Sequence, residues 1–213
     1  MNKNEKFVIT INRELGSGGS TVGHKLAERL GVPFYNKIII ETLTEKYNLS
    51  PEEIENLKGR GRSWWSDFKF AIGIGAGLSR DLSGEWNESV YNRETTDDMF
   101  LTEMKMLRSI AEDESCVIAG RCGFFVLREH PNHLAVLIQA SMDYRIDRVV
   151  RKQGVSVDEA RKIIEKVDKM RENYVKKYTG SSRYDARNYD LVLRADGMSE
   201  SELADVIMQY VKE

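Results

Sequence analysis

An α/β fold, with a parallel sheet covered on both faces, is what this sequence predicts, and three observations predict it. Residues 7 to 30 read as a strand, a glycine-rich turn and a helix. The later apolar runs are short and continuous rather than alternating, the pattern of strands buried on both faces. Capped helical patterns separate one run from the next, so strands and helices alternate along the chain.

The first strand, Phe7 to Ile11, is β-branched and apolar, and Gly16, Gly18 and Gly19 supply a tight turn. From Ser20 the apolar positions Val22, Leu26, Ala27 and Leu30 recur at helical spacing until Gly31 and Pro33 stop the helix. Val32 to Tyr35 makes a brief strand. Ile38 to Tyr47 reads as a helix, and Ser50-Pro51-Glu52-Glu53 caps another. Residues 59–94 break the rhythm: they hold all three tryptophans (Trp64, Trp65, Trp86) and six glycines with no sustained period. Such an insert suits a mobile lobe or a contact between copies of the chain, and its aromatics could alternatively stack on a base.

Periodicity returns at Thr96, with Met99, Phe100, Met104, Leu107 and Ile110 on one helical face ending near Glu112. Cys116-Val-Ile-Ala-Gly120-Arg121 follows as a buried strand that stops at a glycine and an arginine. Leu134 to Ile138 is the next strand, and Ser141 caps a helix carrying Arg145, Arg148 and Lys152. A capping box at Ser156 to Glu159 opens a long charged helix with Asp168, Arg171, Lys176 and Lys177. Residues 179–188 read as a polar loop with Arg183 and Arg187. Leu191 to Leu193 is the last strand, and Ser199 to Glu202 boxes the terminal helix.

At 213 residues the chain fits one domain. A formal net charge of −2 implies no general polyanion-binding surface, so no nucleic-acid partner is expected, although local basic clusters can still bind nucleotide phosphates. The N-terminus has no apolar signal stretch and no run reaches the length of a membrane span, which makes no membrane partner and a cytoplasmic location the expectation. Cys116 and Cys122 lack metal-ligand companions and are expected to be reduced and structural.

The glycine turn carries the chemistry. It aims the free N–H groups of a helix start, and the positive end of its dipole, at whatever sits in the turn, and phosphate suits that position. The pattern G-x-x-x-x-G-K-[ST] falls on residues 13–20 with Gly18 and Ser20 in place, Arg13 at the first glycine and Gly19 at the lysine. A dinucleotide fingerprint fits less well, because Thr21 occupies its third glycine position, which sets a nicotinamide-dependent oxidoreductase far behind. The plainer alternative is a strand-to-helix connection whose glycines serve packing alone. Ligands of parallel sheets lie at the carboxyl ends of the strands, where both Arg13 and Gly120-Arg121 fall. Arg121 would on the plain reading be a surface residue at a helix start, yet its charge there opposes the helix dipole and suggests a bound anion. Arg145, Arg148, Asp168 and Arg171 either contribute to a basic lid or lie on a solvated helix face, Asp168 and Arg171 then forming an i, i+3 pair worth about 0.2–0.5 kcal/mol.

Thr10-Ile-Asn-Arg-Glu-Leu-Gly-Ser-Gly-Gly, Pro33-Phe-Tyr-Asn-Lys, Val117-Ile-Ala-Gly-Arg-Cys, the helix with Arg145 and Arg148, and Tyr189-Asp-Leu-Val-Leu together resemble the cytidylate kinase-like family of P-loop nucleoside monophosphate kinases. In order and spacing they cover most of the chain outside residues 59–94. The resemblance implies a P-loop kinase-type five-stranded parallel sheet flanked by helices and one domain over residues 1–213. Within it, residues 37–112 would form a monophosphate-binding lobe carrying the irregular insert 59–94, and residues 141–188 a helical lid. It further implies Mg²⁺-dependent transfer of the ATP γ-phosphate to CMP, dCMP or a similar monophosphate, with nucleotides as partners; a homo-oligomer contact through 59–94 is the expectation from that insert's own composition. Gly16, Ser17, Gly18 and Gly19 would hold the β-phosphate, Ser20 would ligate Mg²⁺ and Thr21 would contact the α-phosphate. Arg13, Arg121, Arg145, Arg148 and Arg171, with Asp168, would form the cationic catalytic clamp. Against true cytidylate kinases, Gly19 replaces the loop lysine, Asn36 stands for an aspartate, and Ala119 and Cys122 stand for acids around the Gly-Arg pair. A nucleotide-binding regulator with little turnover is the alternative that the same departures allow.

Overall fold

The computed structural model of the chain describes residues 1–37, 40, 52 and 96–211. The helices expected after residue 37 and from Ser50, the 59–94 insert and most of the 37–112 lobe lie outside the described residues. Among the described residues five parallel strands form one sheet: β1 (Val8–Arg13), β2 (Phe34–Asn36), β3 (Cys116–Ala119), β4 (His133–Gln139) and β5 (Leu191–Arg194), in the order β2-β3-β1-β4-β5. β1 is central, with Val8 beside Cys116 of β3 on one side and His133 of β4 on the other. It runs two residues past its apolar segment, because Asn12 and Arg13 keep pairing with Leu137 and Ile138.

Helices cover both faces. Ile9 and Ile11 point with Val117, Val136 and Ile138 into a core closed by α1 (Gly19–Leu30) and, late in the chain, α6 (Glu200–Met208). On the opposite face Val8, Ile118 and Ala135 pack beneath α2 (Asp97–Asp113) and the four-residue α3 (Gly123–Val126). A third cluster joins Leu15 to α4 (Met142–Gln153) and α5 (Val157–Thr179) through Ile146, Val149, Ile164 and Val167. Each fully buried Ile or Val in these layers contributes about 1.5–3 kcal/mol. β5 alone alternates, with Val192 and Arg194 exposed, as an edge strand does.

The helix boundaries follow the expected chemistry. Thr96, Ser141 and Ser156 each accept a hydrogen bond from the N–H three residues on, and Ser199 with Glu202 forms a complete capping box. Gly31 ends α1 in the left-handed conformation, donating to the carbonyls of Ala27 and Glu28. The loop expected at 179–188 contains a short 3-10 turn at Ala186–Asn188.

His133 opens β4 with Nε2 2.7 Å from Thr10 Oγ1. Burial lowers its pKa from 6.5 to about 4, the Asp190 charge opposing the shift only in part. The folded chain therefore holds it neutral where the unfolded chain would bind a proton. Its contribution is full above pH 6.5 and is lost as pH falls through 6.5 towards 4, by about 3 kcal/mol in all. His133→Gln should flatten the pH dependence of urea-unfolding free energy across that window; equal slopes in wild type and variant would assign the acid sensitivity elsewhere.

Candidate functional site

The turn after β1 is built so that its glycines cannot be exchanged. Gly16 has φ +83°, and a Cβ there would stand 2.8 Å from the carbonyl oxygen of Arg145, so α4 lies directly against the turn. Ser17 is fully buried, its N–H and Oγ both donating to the Glu14 carbonyl. Gly18, with φ +82°, is the N-cap of α1, and no side chain caps that end. A Cβ on Gly19 would lie 2.5 Å from the Cβ of Arg13. The lysine expected at this position is therefore excluded by the arginine six residues earlier.

Arg13 is 7% exposed and crosses from the end of β1 towards β3. Its Nε donates to Ser20 Oγ at 3.2 Å, and a Cβ on Gly120 would overlap its guanidinium. Ser20 and Thr21 lie in the first turn of α1, and Thr21 Oγ1 accepts from Arg148 at 3.2 Å. Arg148 also forms an ion pair with Glu200 at the start of α6.

Beyond β3 the backbone is strained. Gly120, Arg121 and Cys122 all have positive φ, the last two being non-glycine residues at +52° and +54°, a conformation that costs about 1–3 kcal/mol each. The strain turns Arg121 inward, onto the carboxylate of Glu103 on α2 and 5.0 Å from the Tyr174 ring centroid. The charge of Arg121 suggests a bound anion, but its partner here is the protein's own Glu103 carboxylate. It is 2% exposed and also accepts from Tyr174 Oη. Burial pushes the Cys122 thiol up to about 12, which leaves it a packed, unreactive group.

Between these motifs lies a cavity of about 470 Å³ at the carboxyl ends of β1 and β3. Asn12, Arg13, Lys37, Arg121, Arg171 and Tyr174 are among its walls, so Arg13 belongs to the glycine turn and to the cavity at once.

Arg145, Arg148 and Arg171 are not on a solvated face. Arg145 is 5% exposed; its Nε donates to the Leu15 carbonyl at 2.9 Å, and its terminal nitrogens pair with Glu14 at 3.2 Å and with Asp168. Asp168 accepts the Leu15 N–H at 3.1 Å and faces Arg171 at 3.8 Å and Arg183 at 3.5 Å. Asp168 is thus the centre of three guanidinium groups, and its i, i+3 pairing with Arg171 is the longest of those contacts. Sequence reasoning missed Glu14, Glu103, Tyr174, Arg183 and Glu200, whose partners lie far away in the chain with no periodic signal. Arg183 sat in what reads as a polar loop, yet it is fully buried. Burial, and then the neighbouring Arg171, lowers its pKa, but a guanidinium remains charged there.

The feature of the turn that suits a phosphate is the N-terminus of α1, which no side chain caps; the contacts that require glycine at 16 and 19 are with Arg145 and Arg13. Ser20 is the Mg²⁺ candidate. Among the described residues no group of three or more His, Cys, Asp or Glu could hold a metal. No helix among the described residues is long and apolar enough to cross a membrane.

Comparison with known proteins agrees with this geometry. The cytidylate kinase of Methanopyrus kandleri is 24% identical over 209 residues, spanning 94% of this chain and 90% of that protein. The cytidylate kinase of Pyrococcus horikoshii is 25% identical over 197 residues, spanning 92% and 83%. A crystal structure of an uncharacterized protein from Eubacterium ventriosum superposes with a TM-score of 0.68 at 27% identity, covering 96% of this chain and 98% of the other. A family model described as the cytidylate kinase-like family matches residues 8–196, nearly the whole α/β unit, and the chain belongs to that family.

Proposed function

We propose that the protein is a Mg²⁺-dependent nucleoside monophosphate kinase that transfers the γ-phosphate of ATP to CMP or dCMP. The observation that carries this reading is Arg13, which joins the glycine turn to the cavity and so lies between a donor site and an acceptor site. Gly16, Gly18 and Gly19 hold the β-phosphate through their amides, Ser17 shapes the turn from inside by donating its N–H and Oγ to the Glu14 carbonyl, and Thr21 contacts the α-phosphate. An acceptor phosphate oxygen attacks the γ-phosphorus in line, the bond to the β–γ bridging oxygen breaks, and ADP leaves; the protein's part is positioning and charge compensation. Mg²⁺ at Ser20 would neutralise donor phosphate charge.

In this reading residues 37–112 form the acceptor lobe, residues 141–188 the lid, and the 59–94 insert a contact between copies. Arg13 and Arg121 face the reacting phosphates directly. Arg145, Arg148 and Asp168 act from behind the turn, through its carbonyls and Thr21, while Arg171 both lines the cavity and donates to the Arg13 carbonyl. Nucleotides are the partners, with no nucleic acid or membrane, and the enzyme works in the cytoplasm.

The test is ADP release with ATP and Mg²⁺ across CMP, dCMP, AMP, GMP and UMP. The expected result is fastest release with CMP or dCMP, and loss of turnover on chelation of Mg²⁺. ATP binding without turnover on any acceptor would favour a nucleotide-binding regulator, for which the missing loop lysine is the specific observation. No ATP binding would remove both readings.

A further inference from the structure

A turn that points its amides at an anion must point its carbonyls the other way, and a buried carbonyl needs a donor. Here the donors are arginines. The Arg13 carbonyl accepts from Arg171 at 3.1 Å and from Arg183, and the Leu15 carbonyl accepts from Arg145. The three arginines come from α5, from the loop after α5 and from α4, and Asp168 neutralises them together.

Arg183 differs from the other two in having no exposure and in gripping the strand end twice. One of its terminal nitrogens bonds both the Arg13 carbonyl and Asn12 Oδ1, the latter at 3.3 Å, while the other faces Asp168. Its own main chain is fixed as well: its N–H donates to Glu172 at 3.0 Å, and its carbonyl accepts from Tyr189 Oη at 2.7 Å.

We infer that Arg183 is a positioning residue for phosphoryl transfer: from the back of the site it fixes the Asn12–Arg13 end of β1 and so sets the direction in which the glycine-turn amides and the Arg13 side chain point. The inference rests on the donor-site reading above. It makes the loop after α5 a brace for the turn and not only a cover over the nucleotide. A lysine at 183 would keep the charge that Asp168 needs but could not span Asn12 Oδ1, the Arg13 carbonyl and Asp168 with one ammonium.

The experiment compares wild type, Arg183→Lys and the gentler Tyr189→Phe, which removes the hydroxyl that donates to the Arg183 carbonyl and accepts from Asn12 Nδ2. Arg183→Lys is expected to melt cooperatively, to raise the KM for ATP about tenfold or more with the KM for the acceptor within about twofold, and to lower kcat/KM for ATP about 10–100-fold. In the free protein the amides of Gly16 to Thr21 should exchange hydrogen faster than in wild type, while those of β3 do not. Tyr189→Phe should show the same pattern at smaller size, and it carries the test if the lysine variant fails to fold. Wild-type exchange in the turn together with a wild-type KM for ATP would overturn the inference. So would equal rises in both KM values accompanied by a lowered melting temperature, the mark of a merely structural residue. Failure of wild type to bind ATP would strike the donor-site reading instead, and the exchange measurement then decides the brace by itself.

Discussion

Arg13→Ala is expected to keep the fold and to cut turnover about a hundredfold, the scale of losing one preorganised donor to a transition-state oxyanion. The phosphoryl group in flight carries charge that a loop lysine ordinarily meets, and here that position is Gly19. The two departures from the loop pattern are one exchange. A side chain at 19 would lie 2.5 Å from the Arg13 Cβ, so the loop can take its cation from the strand end or from the helix start but not from both. The fold should tolerate the truncation, because the Arg13 carbonyl keeps Arg171 and the β4 pairing is made by backbone. The space left opens onto the cavity, where water can enter. Arg13→Lys should recover only part of the loss, since an ammonium cannot fork across two oxygens. Steady-state turnover beside a melting curve for each variant makes the check. Undiminished turnover in Arg13→Ala would assign the compensating charge to Arg121 or Lys37, and a collapsed melting temperature would make Arg13 a structural residue.

Asp168→Ala should be the most destabilising single change in the described part of the molecule. It leaves Arg183, fully buried, and Arg145, 5% exposed, without their shared carboxylate, and strips the Leu15 N–H of its acceptor. Removing one member of a buried charge cluster costs about 3–5 kcal/mol. For a chain of this length each kcal/mol moves Tm by about 2–4 °C, so the expected loss is roughly 6–20 °C. Asp168→Asn should cost less, because its amide oxygen can still accept the Leu15 N–H. The pair Asp168→Ala with Arg183→Met should cost less than the sum of the two single variants. A Tm change under about 2 °C in Asp168→Ala would show that Glu14 alone suffices to neutralise the cluster.

What the amino-acid order made legible was local. Thr96, Ser141, Ser156 and Ser199 announce helix starts because a cap is a contact over three residues, and Gly31 announces a stop because only a left-handed residue fits there. The central strand reads clearly up to Ile11; Asn12 and Arg13 drop out of the apolar pattern although the backbone continues to pair. Ion pairs of long reach leave no such trace. Glu14 and Arg145, Glu103 and Arg121, and Arg148 and Glu200 meet only after the sheet has formed, and no spacing rule connects them. The visible pair, Asp168 with Arg171, proved the loosest member of its cluster. Burial of Arg183 is the least legible feature, since its neighbours Ser181, Ser182 and Tyr184 read as an exposed turn.

Placing the first strand in the middle of the sheet has a cost in time. β1 leaves the ribosome first, but its partners begin at Cys116 and His133, roughly a hundred residues later. At about 5–20 residues per second that is a wait of roughly 5–20 s in which Val8, Ile9 and Ile11 have no strand to join. The segment that will become the central strand of the sheet is, during synthesis, an adhesive one, and a nascent-chain chaperone would shield it until β3 and β4 are made.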